Sequence, residues 1–517
     1  MIRHGITLLL SLFCFVFALS AKSNTPNTPD RPNIIFIYAD DHAQAAIGAY
    51  GSVINETPNI DALASQGMRF AQSFVANSIC GPARATILTG LHSHANGRTT
   101  NQTPFDDDLP TWPKLMQAAG YQTATLGKWH LPTEPNGFDY WAKTGDYYVT
   151  GATTSKGKRD WRGYTTDLIT EKSLEWIGKR NPNKPFAVWI SHSAAHRNWA
   201  PATRHLSLYR GEYIPEPKTL LTDYAGKSPG AALSQMRISK DLFPAYDLKL
   251  PVNGEQILDD AAERRMSGMT KEQREKWDAA YAEENEAFGK ANLQGDDLTR
   301  WNYQRYIQDY LRCVAALDES VGQVMRYLED NDLADNTIVI YSSDQGFFLG
   351  EHGWYDKRWM YEPSLQTPLI VKWPGKVKPG STSDAIVQNI DMAPTLLAMA
   401  GVDASAQMHG RSLTGLLQGV TLDDWREAIY YHYQQRDKGR TNHTVAAHYG
   451  VRTDRYKLIY VYDHDTWEFY DLKTDPDEVH NRYEDDAYTE QIDTLYHRLI
   501  ELRQAYNDTT GPAVPDR

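Results

Sequence analysis

Apolar and polar positions fall into two regimes along the chain. Four short, largely apolar stretches without alternation occur at Pro32 to Ala39, Gln122 to Leu126, Pro185 to Ile190 and Asn336 to Ser343. Stretches of that length and character predict strands covered on both faces, as in a parallel sheet. Between them, Asn55 to Gly67 has Pro58 near its start and a terminal glycine, and Thr111 to Gly120 also closes on glycine, which predicts helices. In Tyr306 to Leu328, Tyr310, Val314, Leu317 and Val321 recur at helical spacing. Alternating strands and helices predict an α/β fold: a large mixed, mostly parallel sheet sandwiched by helices.

Two regions depart from that pattern. Residues 201–297 carry mixed charge, few apolar runs and a helix-like Lys271 to Phe288, which reads as an insertion or lid. From about Trp425 the apolar positions alternate, at Ala447 to Thr453, Tyr456 to Tyr462 and Trp467 to Leu472, before a terminal helix from Thr489 to Tyr506. That pattern predicts a smaller C-terminal antiparallel-sheet subdomain. The N-terminus places Arg3 before an apolar run, Ile6 to Leu19, and then the small-x-small site Ala18-Leu19-Ser20. This predicts a signal peptide over 1–20 and an exported protein, periplasmic or secreted. The run is short for a membrane span, and no later one is long and uncharged enough to be one. The expected division is thus 1–20, a catalytic domain 31–424 with the insertion, and a subdomain 425–517.

The net charge is −13 and no Lys/Arg block recurs, which argues against a nucleic-acid or anionic-membrane partner. An anionic substrate would have to be met by basic residues gathered at one pocket. Of three cysteines, Cys14 leaves with the signal peptide, and the remaining two are too few for a disulfide framework. Cys313 falls in the periodic helix and reads as core. Cys80 needs a chemical explanation.

Polar residues follow every predicted central strand. They are Asp40-Asp41-His42, Gly127-Lys128-Trp129-His130, the stretch His192 to Trp199, and Asp344-Gln345-Gly346. Ligands gather at the carboxyl ends of strands in open α/β sheets, so the two acidic pairs can meet at one site. Asp40, Asp41, Asp344 and Gln345 offer four oxygen donors, a set for a hard cation; the plainer reading is acids solvating strand ends. In Ser78 to Gly90, Cys80, Pro82 and Arg84 alternate where a helix should begin. Pro82 suits a first turn, whose free N–H groups attract anions, so Cys80 would face a bound oxyanion.

The Cys-x-Pro-x-Arg run with Leu88-Thr89-Gly90, the strand-end motifs, and Tyr470-Asp471-Leu472 through Asp475 and Glu478 to Asn481 stand in the order seen in type I sulfatases. The chain resembles that family of the alkaline-phosphatase superfamily over nearly its whole mature length. The resemblance implies an alkaline-phosphatase-like fold and oxidation of Cys80 by a formylglycine-generating maturation enzyme to 3-oxoalanine. The hydrated aldehyde has two hydroxyls on one carbon: one attacks sulfur and expels the alcohol, and the other loses its proton and ejects sulfate. Calcium is the implied ion on Asp40, Asp41, Asp344, Gln345 and residue 80, with magnesium the alternative. Arg84 matches the arginine that orients formylglycine, Lys128 and Lys357 the sulfate-binding lysines, and His130 the histidine beside the nucleophile. His196 matches the acid that protonates the leaving oxygen, with His192 its rival. Two positions depart from the pattern: Ala83 stands where many relatives have serine, and Gln345 where many have asparagine. Glu351 to Glu362 is similar to bacterial carbohydrate sulfatases of the N-acetylglucosamine-6-sulfatase-like and marine-polysaccharide kinds, which makes His352, Arg358 and His448 candidate sugar contacts.

The reading is therefore an exported, calcium-dependent hydrolase of sulfate esters on carbohydrates, acting at chain ends. One rival is a phosphodiesterase or phosphonate monoester hydrolase of the same superfamily. The other is a non-catalytic sulfated-glycan-binding protein in which Cys80 stays a thiol.

Overall fold

The strand Asn33–Ala39 (β1), every residue of it buried, lies in the middle of a ten-stranded sheet. A computed structural model describes residues 31–145, 147–251, 258–436 and 442–517. The expected signal peptide, 1–20, lies outside the described residues. Gln122–Gly127 (β2), Phe186–Ser191 (β3) and Thr337–Ser343 (β4) complete a parallel centre in the order β4-β1-β3-β2. These are the four stretches read as buried strands. Beyond β4 the sheet continues antiparallel through Leu369–Lys372 and Met68–Phe70, and beyond β2 it runs parallel to Tyr140–Thr144. These flanking strands are short and partly polar, so no buried-strand pattern marks them.

Side chains alternate across the sheet into two cores. Ile35, Ile37, Val188, Ile190, Val339 and Tyr341 enter one, which the long helix Gly295–Asp330 covers with Tyr310, Val314, Leu317 and Val321. Cys313 is fully buried there, as its periodic setting predicts. Ile34, Phe36, Trp189, Ile338 and Ile340 enter the other core, with Ala85, Ile87 and Leu88 of the helix Cys80–Thr89 and Leu396 and Leu397 of Met392–Met399. Burying a large apolar side chain contributes about 1.5–3 kcal/mol, so these two layers fix the strands whose ends carry the chemistry. The long helix starts at Gly295, well before the expected Tyr306, because its first turns are polar and hide the period. They are held by Trp301, whose ring stacks 3.9 Å from Phe288 of the helix Lys271–Ala291. Among the described residues no helix is long and apolar enough to cross a membrane.

Near the C-terminus, Ala428–Tyr433, His448–Thr453, Tyr456–Val461 and Thr466–Asp471 form an antiparallel sheet, covered by the helix Thr489–Ala505 through Ile492, Leu495 and Leu499. Buried charge fastens this sheet to the rest. Lys457 Nζ reaches Glu478 Oε1 at 2.5 Å and Glu362 Oε1 at 2.8 Å, and Arg452 adds a second cation on Glu362 at 3.0 Å. The Glu362 N–H donates to Glu478 Oε2 at 2.7 Å. The motif at 470–481 is thus structural joinery, with Asp475 capping the Val479 and His480 N–H groups and Asn481 accepting from the Phe469 N–H. Burial, opposed by Lys457, raises Glu478 to about 7.

Lys457→Met removes the shared cation from between two buried carboxylates. We expect a loss of about 3–5 kcal/mol in unfolding free energy, read from denaturant melts; a loss below about 1 kcal/mol would mean that the cluster is not what holds this sheet.

Candidate active site

Register brings the polar strand ends together. Ala39 pairs with Ser343 across β1 and β4, so Asp40-Asp41 and Asp344-Gln345 leave the sheet side by side. Ser191 pairs with Gly127 across β3 and β2, which brings Lys128 to the same edge. The Asp344 N–H donates to the Ala39 carbonyl, and the Lys128 N–H to that of Ser191 at 2.8 Å. Gly127 is required here: its φ is +113°, and a Cβ would lie 1.9 Å from the Ser191 carbonyl oxygen.

Asp41 takes a left-handed backbone, φ 64°, which turns its carboxylate back toward the cluster. Three partners hold the turn. The Asp41 N–H donates to Asp344 Oδ1 at 3.1 Å; Tyr310 of the long helix donates its hydroxyl to the Asp41 carbonyl at 2.8 Å and accepts from the Ala43 N–H at 2.9 Å. Tyr310 reads from sequence only as core, yet its oxygen fixes a functional turn.

Asp40, Asp41 and Asp344 are fully buried, and each offers a carboxylate oxygen within 4.8 Å of the others. At an effective dielectric constant of 20, two unit charges 4 Å apart interact by about 4 kcal/mol, so three such carboxylates demand positive charge. Burial raises Asp344 to about 8, with repulsion from Asp40 adding to it, and burial raises Asp41 to about 6 against the pull of Lys357. For Asp40, burial is outweighed by Lys128, His196, Arg84 and Lys357, which hold its carboxyl well below the usual range. Lys357 Nζ contacts both Asp41 oxygens at 2.7 and 2.6 Å, and Lys128 Nζ contacts Asp40 Oδ2. Gln345 Oε1, buried, accepts no hydrogen bond, while Gln345 Nε2 donates to Asp41 Oδ1; Asp40 Oδ2 and Asp344 Oδ2 are met only by the cations Lys128 and Arg84. An all-oxygen set with one orphaned acceptor among clustered carboxylates fits a hard divalent cation.

The helix Cys80–Thr89 ends its first turn against this cluster. Cys80 Sγ lies 3.4 Å from Asp40 Oδ1 and 3.7 Å from Gln345 Nε2, so the thiol meets polar groups rather than an apolar interior. Burial, then the charge of Asp40, pushes the thiol far above its ordinary value, which leaves unmodified Cys80 protonated and poorly nucleophilic. Arg84, one turn on, is fully buried; Nη1 donates to the Lys128 carbonyl at 2.9 Å and Ser191 Oγ at 2.6 Å, and Nη2 lies 3.2 Å from Asp344 Oδ2. Ala83 packs into the apolar core. The C-terminal sheet steadies the helix entry: Tyr431 accepts from the Ser78 N–H at 3.1 Å and donates to the Arg358 carbonyl at 2.5 Å.

His196 Nε2 lies 4.0 Å from Asp41 Oδ2, and the ring, Asp40 and Cys80 are mutually within 4.8 Å. Its Nδ1 faces the Arg197 carbonyl at 2.6 Å, which assigns the proton to Nδ1 and turns Nε2 to the site. His192 is elsewhere: it is fully buried, with Nε2 on Ser320 Oγ at 2.9 Å. His130 is exposed at the rim near Lys128. Arg358 is buried beside Lys357, with Nη1 on Tyr433 at 3.1 Å and Nε 3.5 Å from Asp356 Oδ2. Sequence reasoning missed Asp356 and His443, whose Nδ1 lies 2.8 Å from Asp356 Oδ2. The only available signal was the adjacency of Asp356 to Lys357 and Arg358.

A sequence model of the sulfatase family matches residues 32–402, and one for the C-terminal region of N-sulphoglucosamine sulphohydrolase matches 350–505. The chain is 44% identical over 514 residues to an N-acetylglucosamine-6-O-sulfatase of Bacteroides thetaiotaomicron, covering 97% of this chain and 91% of that one. The solved structure of BT4656 in complex with its substrate D-glucosamine-2-N, 6-O-disulfate superposes with a TM-score of 0.90 at 43% identity, covering 93% of this chain and 99% of that one. A phosphonate monoester hydrolase of Agrobacterium radiobacter superposes at 0.69 with 20% identity, covering 92% and 96%, a likeness of fold alone.

Two of the expected sugar contacts lie apart from the carboxylate cluster. His448 is fully buried: Nε2 accepts from the Met360 N–H at 3.1 Å, Nδ1 faces the Ala446 carbonyl at 2.8 Å, and the ring stacks 4.4 Å from Trp359. With both nitrogens on backbone groups, it packs the C-terminal sheet. His352 is also buried and opens onto a separate cavity lined by Gln44, Thr219, Glu351 and Asp477, among others, without any of the clustered carboxylates. Both histidines were chosen by position in a motif, which does not fix where a ring points. Beside His352, burial, with the charge of Asp477, raises Glu351 to about 7. A carboxyl raised in the folded state from 4.5 favours folding below that pH, and the advantage is lost as pH rises toward 7. Unfolding free energy should therefore fall by up to about 3 kcal/mol across that window, and Glu351→Gln should flatten the fall. Parallel pH profiles for the two proteins would contradict this account of Glu351.

Proposed function

We propose, for a chain that belongs to the sulfatase family and hydrolyses sulfate esters on carbohydrates, that its substrate is a 6-O-sulfated, N-substituted glucosamine at the end of a glycosaminoglycan-type chain. Support comes from the relatives above, one an N-acetylglucosamine-6-O-sulfatase and one bound to a 2-N,6-O-disulfated glucosamine. Terminal action is supported by access: Cys80 is 2% exposed, which suits a chain end better than the middle of a polymer. The observation that carries the chemistry is the meeting of Cys80 and His196 with three buried carboxylates at one sheet edge.

Asp40, Asp41, Asp344 and Gln345 would hold the divalent ion, calcium by its oxygen-rich donors, and the bound ion would supply Lewis-acid polarisation of the sulfate. Formylglycine at position 80, made by a maturation enzyme, would supply geminal hydroxyls for attack and release. The chain's own residues do the rest. Arg84, pinned on Ser191 and Asp344, keeps the first turn of its helix against the cluster. Lys128 and Lys357 reach the oxygens where sulfate charge builds up, each such donor contributing about 3 kcal/mol to the transition state. His196, its Nδ1–H held by a carbonyl, would act as the imidazolium, giving its Nε2 proton to the departing sugar oxygen and returning to the neutral Nδ1–H ring, and His130 at the rim would take the proton that frees sulfate. Asp356, Arg358 and His443 form the wall beside Lys357 where sugar hydroxyls would lie. Residues 31–424 serve as the catalytic part and 425–517 as the subdomain steadying that wall. The N-terminal segment directs export to the periplasm or beyond.

Expressed with the maturation enzyme, the protein should show residue 80 as the aldehyde in peptide mass spectra and release sulfate from glucosamine 6-O-sulfate oligosaccharides. Cys80→Ala should lower that release by about 10³-fold or more. Faster turnover of a phosphodiester or phosphonate ester than of any sugar sulfate, or full activity in Cys80→Ala, would overturn the assignment.

A further inference from the structure

The segment 201–297, read from sequence only as an insertion or lid, supplies a turn that packs directly on the loop carrying His196. In the turn Phe243 to Lys249, Asp247 is fully buried and accepts from the Phe243 N–H at 2.7 Å. Its carboxylate grips Arg197 fork to fork, with Nε to Oδ1 at 2.7 Å and Nη2 to Oδ2. The guanidinium is enclosed by the rings of Phe243, Tyr246 and Tyr355 at 5.0 to 5.6 Å. The next residue is held as well: Asn198 Nδ2 donates to the Tyr246 carbonyl at 3.0 Å, and Lys249 Nζ donates to the Asn198 carbonyl at 2.5 Å. Between these anchors lies the Arg197 carbonyl, which accepts the hydrogen bond from His196 Nδ1 at 2.6 Å.

We propose that Asp247 is a positioning residue for sulfate-ester cleavage: by clamping Arg197 it sets the carbonyl that holds the His196 Nδ1–H and so the direction in which Nε2 points. The inference rests on the reading of His196 as the proton donor to the leaving oxygen. Bidentate arginine pairs add geometric constraint as well as attraction, and a buried pair broken on one side leaves the other charge uncompensated. An acid displaced by about 1 Å loses much of its effect, since proton transfer needs hydrogen-bond reach. The insertion is thus part of the catalytic frame, and its turn reaches the His196 loop through Asp247, Lys249 and the Tyr246 carbonyl.

The dependence on leaving group separates positioning from general loosening. A sugar alkoxide needs a proton as it departs; a nitrophenolate does not. His196→Ala, Asp247→Asn, Asp247→Glu and Asn198→Ala would be assayed for kcat on a glucosamine 6-O-sulfate and on 4-nitrophenyl sulfate, with thermal melts on each protein. We expect Asp247→Asn to lower kcat on the sugar ester by about 10- to 10²-fold and on the nitrophenyl ester by less than about 3-fold, with Asp247→Glu restoring much of the loss. Asn198→Ala, which uncouples no buried charge, should show the same selectivity more weakly, and it decides the matter if Asp247→Asn does not fold. Equal losses on both esters in folded Asp247→Asn or in Asn198→Ala would overturn the positioning role. If His196→Ala itself shows no such selectivity, the proton-donor reading fails instead.

Discussion

Mutual repulsion among three buried carboxylates is the constraint around which this molecule is arranged. Asp40, Asp41 and Asp344 sit where a parallel sheet ends, out of reach of water, and each raises the cost of ionising the next. Arg84, Lys128 and Lys357 answer that charge from three different places: the helix at Cys80, the end of β2, and the loop after β4. None of these cations would be tolerated in such an interior alone, since an unpaired buried charge costs far more than a buried pair. Anion and cation therefore specify each other's place, and Cys80 is held in the seam.

The same constraint explains why so much structure surrounds a small site. A left-handed Asp41 is a strained backbone, and it persists because Tyr310, Asp344 and the strand register all hold it. The C-terminal sheet contributes through Tyr431, which ties the approach to Cys80 to the segment carrying Lys357 and Arg358. Its own attachment is ionic and buried, through Lys457, Glu362 and Glu478. The insertion reaches the His196 loop through the turn at Asp247. Each peripheral element thus meets the centre by one or two polar side chains, while the bulk of its packing is apolar.

Fold likeness and chemistry separate cleanly here. A phosphonate monoester hydrolase shares the architecture at 20% identity, so the architecture does not itself select sulfur over phosphorus. In this chain the wall around Lys357 is built by Asp356, Arg358 and His443, which interlock.

The sequence by itself determined the parallel centre, because a buried strand must be apolar throughout and the acids that close it stand out against that background. It also made the cluster legible: Asp40, Asp41, Lys128 and Asp344 stand at strand ends and Cys80 and Arg84 at a helix start, spacings that put side chains on one edge, while their chemical roles came from the resemblance to sulfatases. Tertiary structure alone decided matters that depend on direction. His192 and His196 are four residues apart in one loop, yet one ring turns to Ser320 and the other to Asp41, a difference set by packing and not by residue type. His352 packs among neighbouring rings such as Trp354, and His448 is held by the Met360 N–H from a segment 88 residues away. Asp247 and Tyr310 gained their roles only when folding placed them, because partners 50 and 269 residues away leave no periodic trace in the chain.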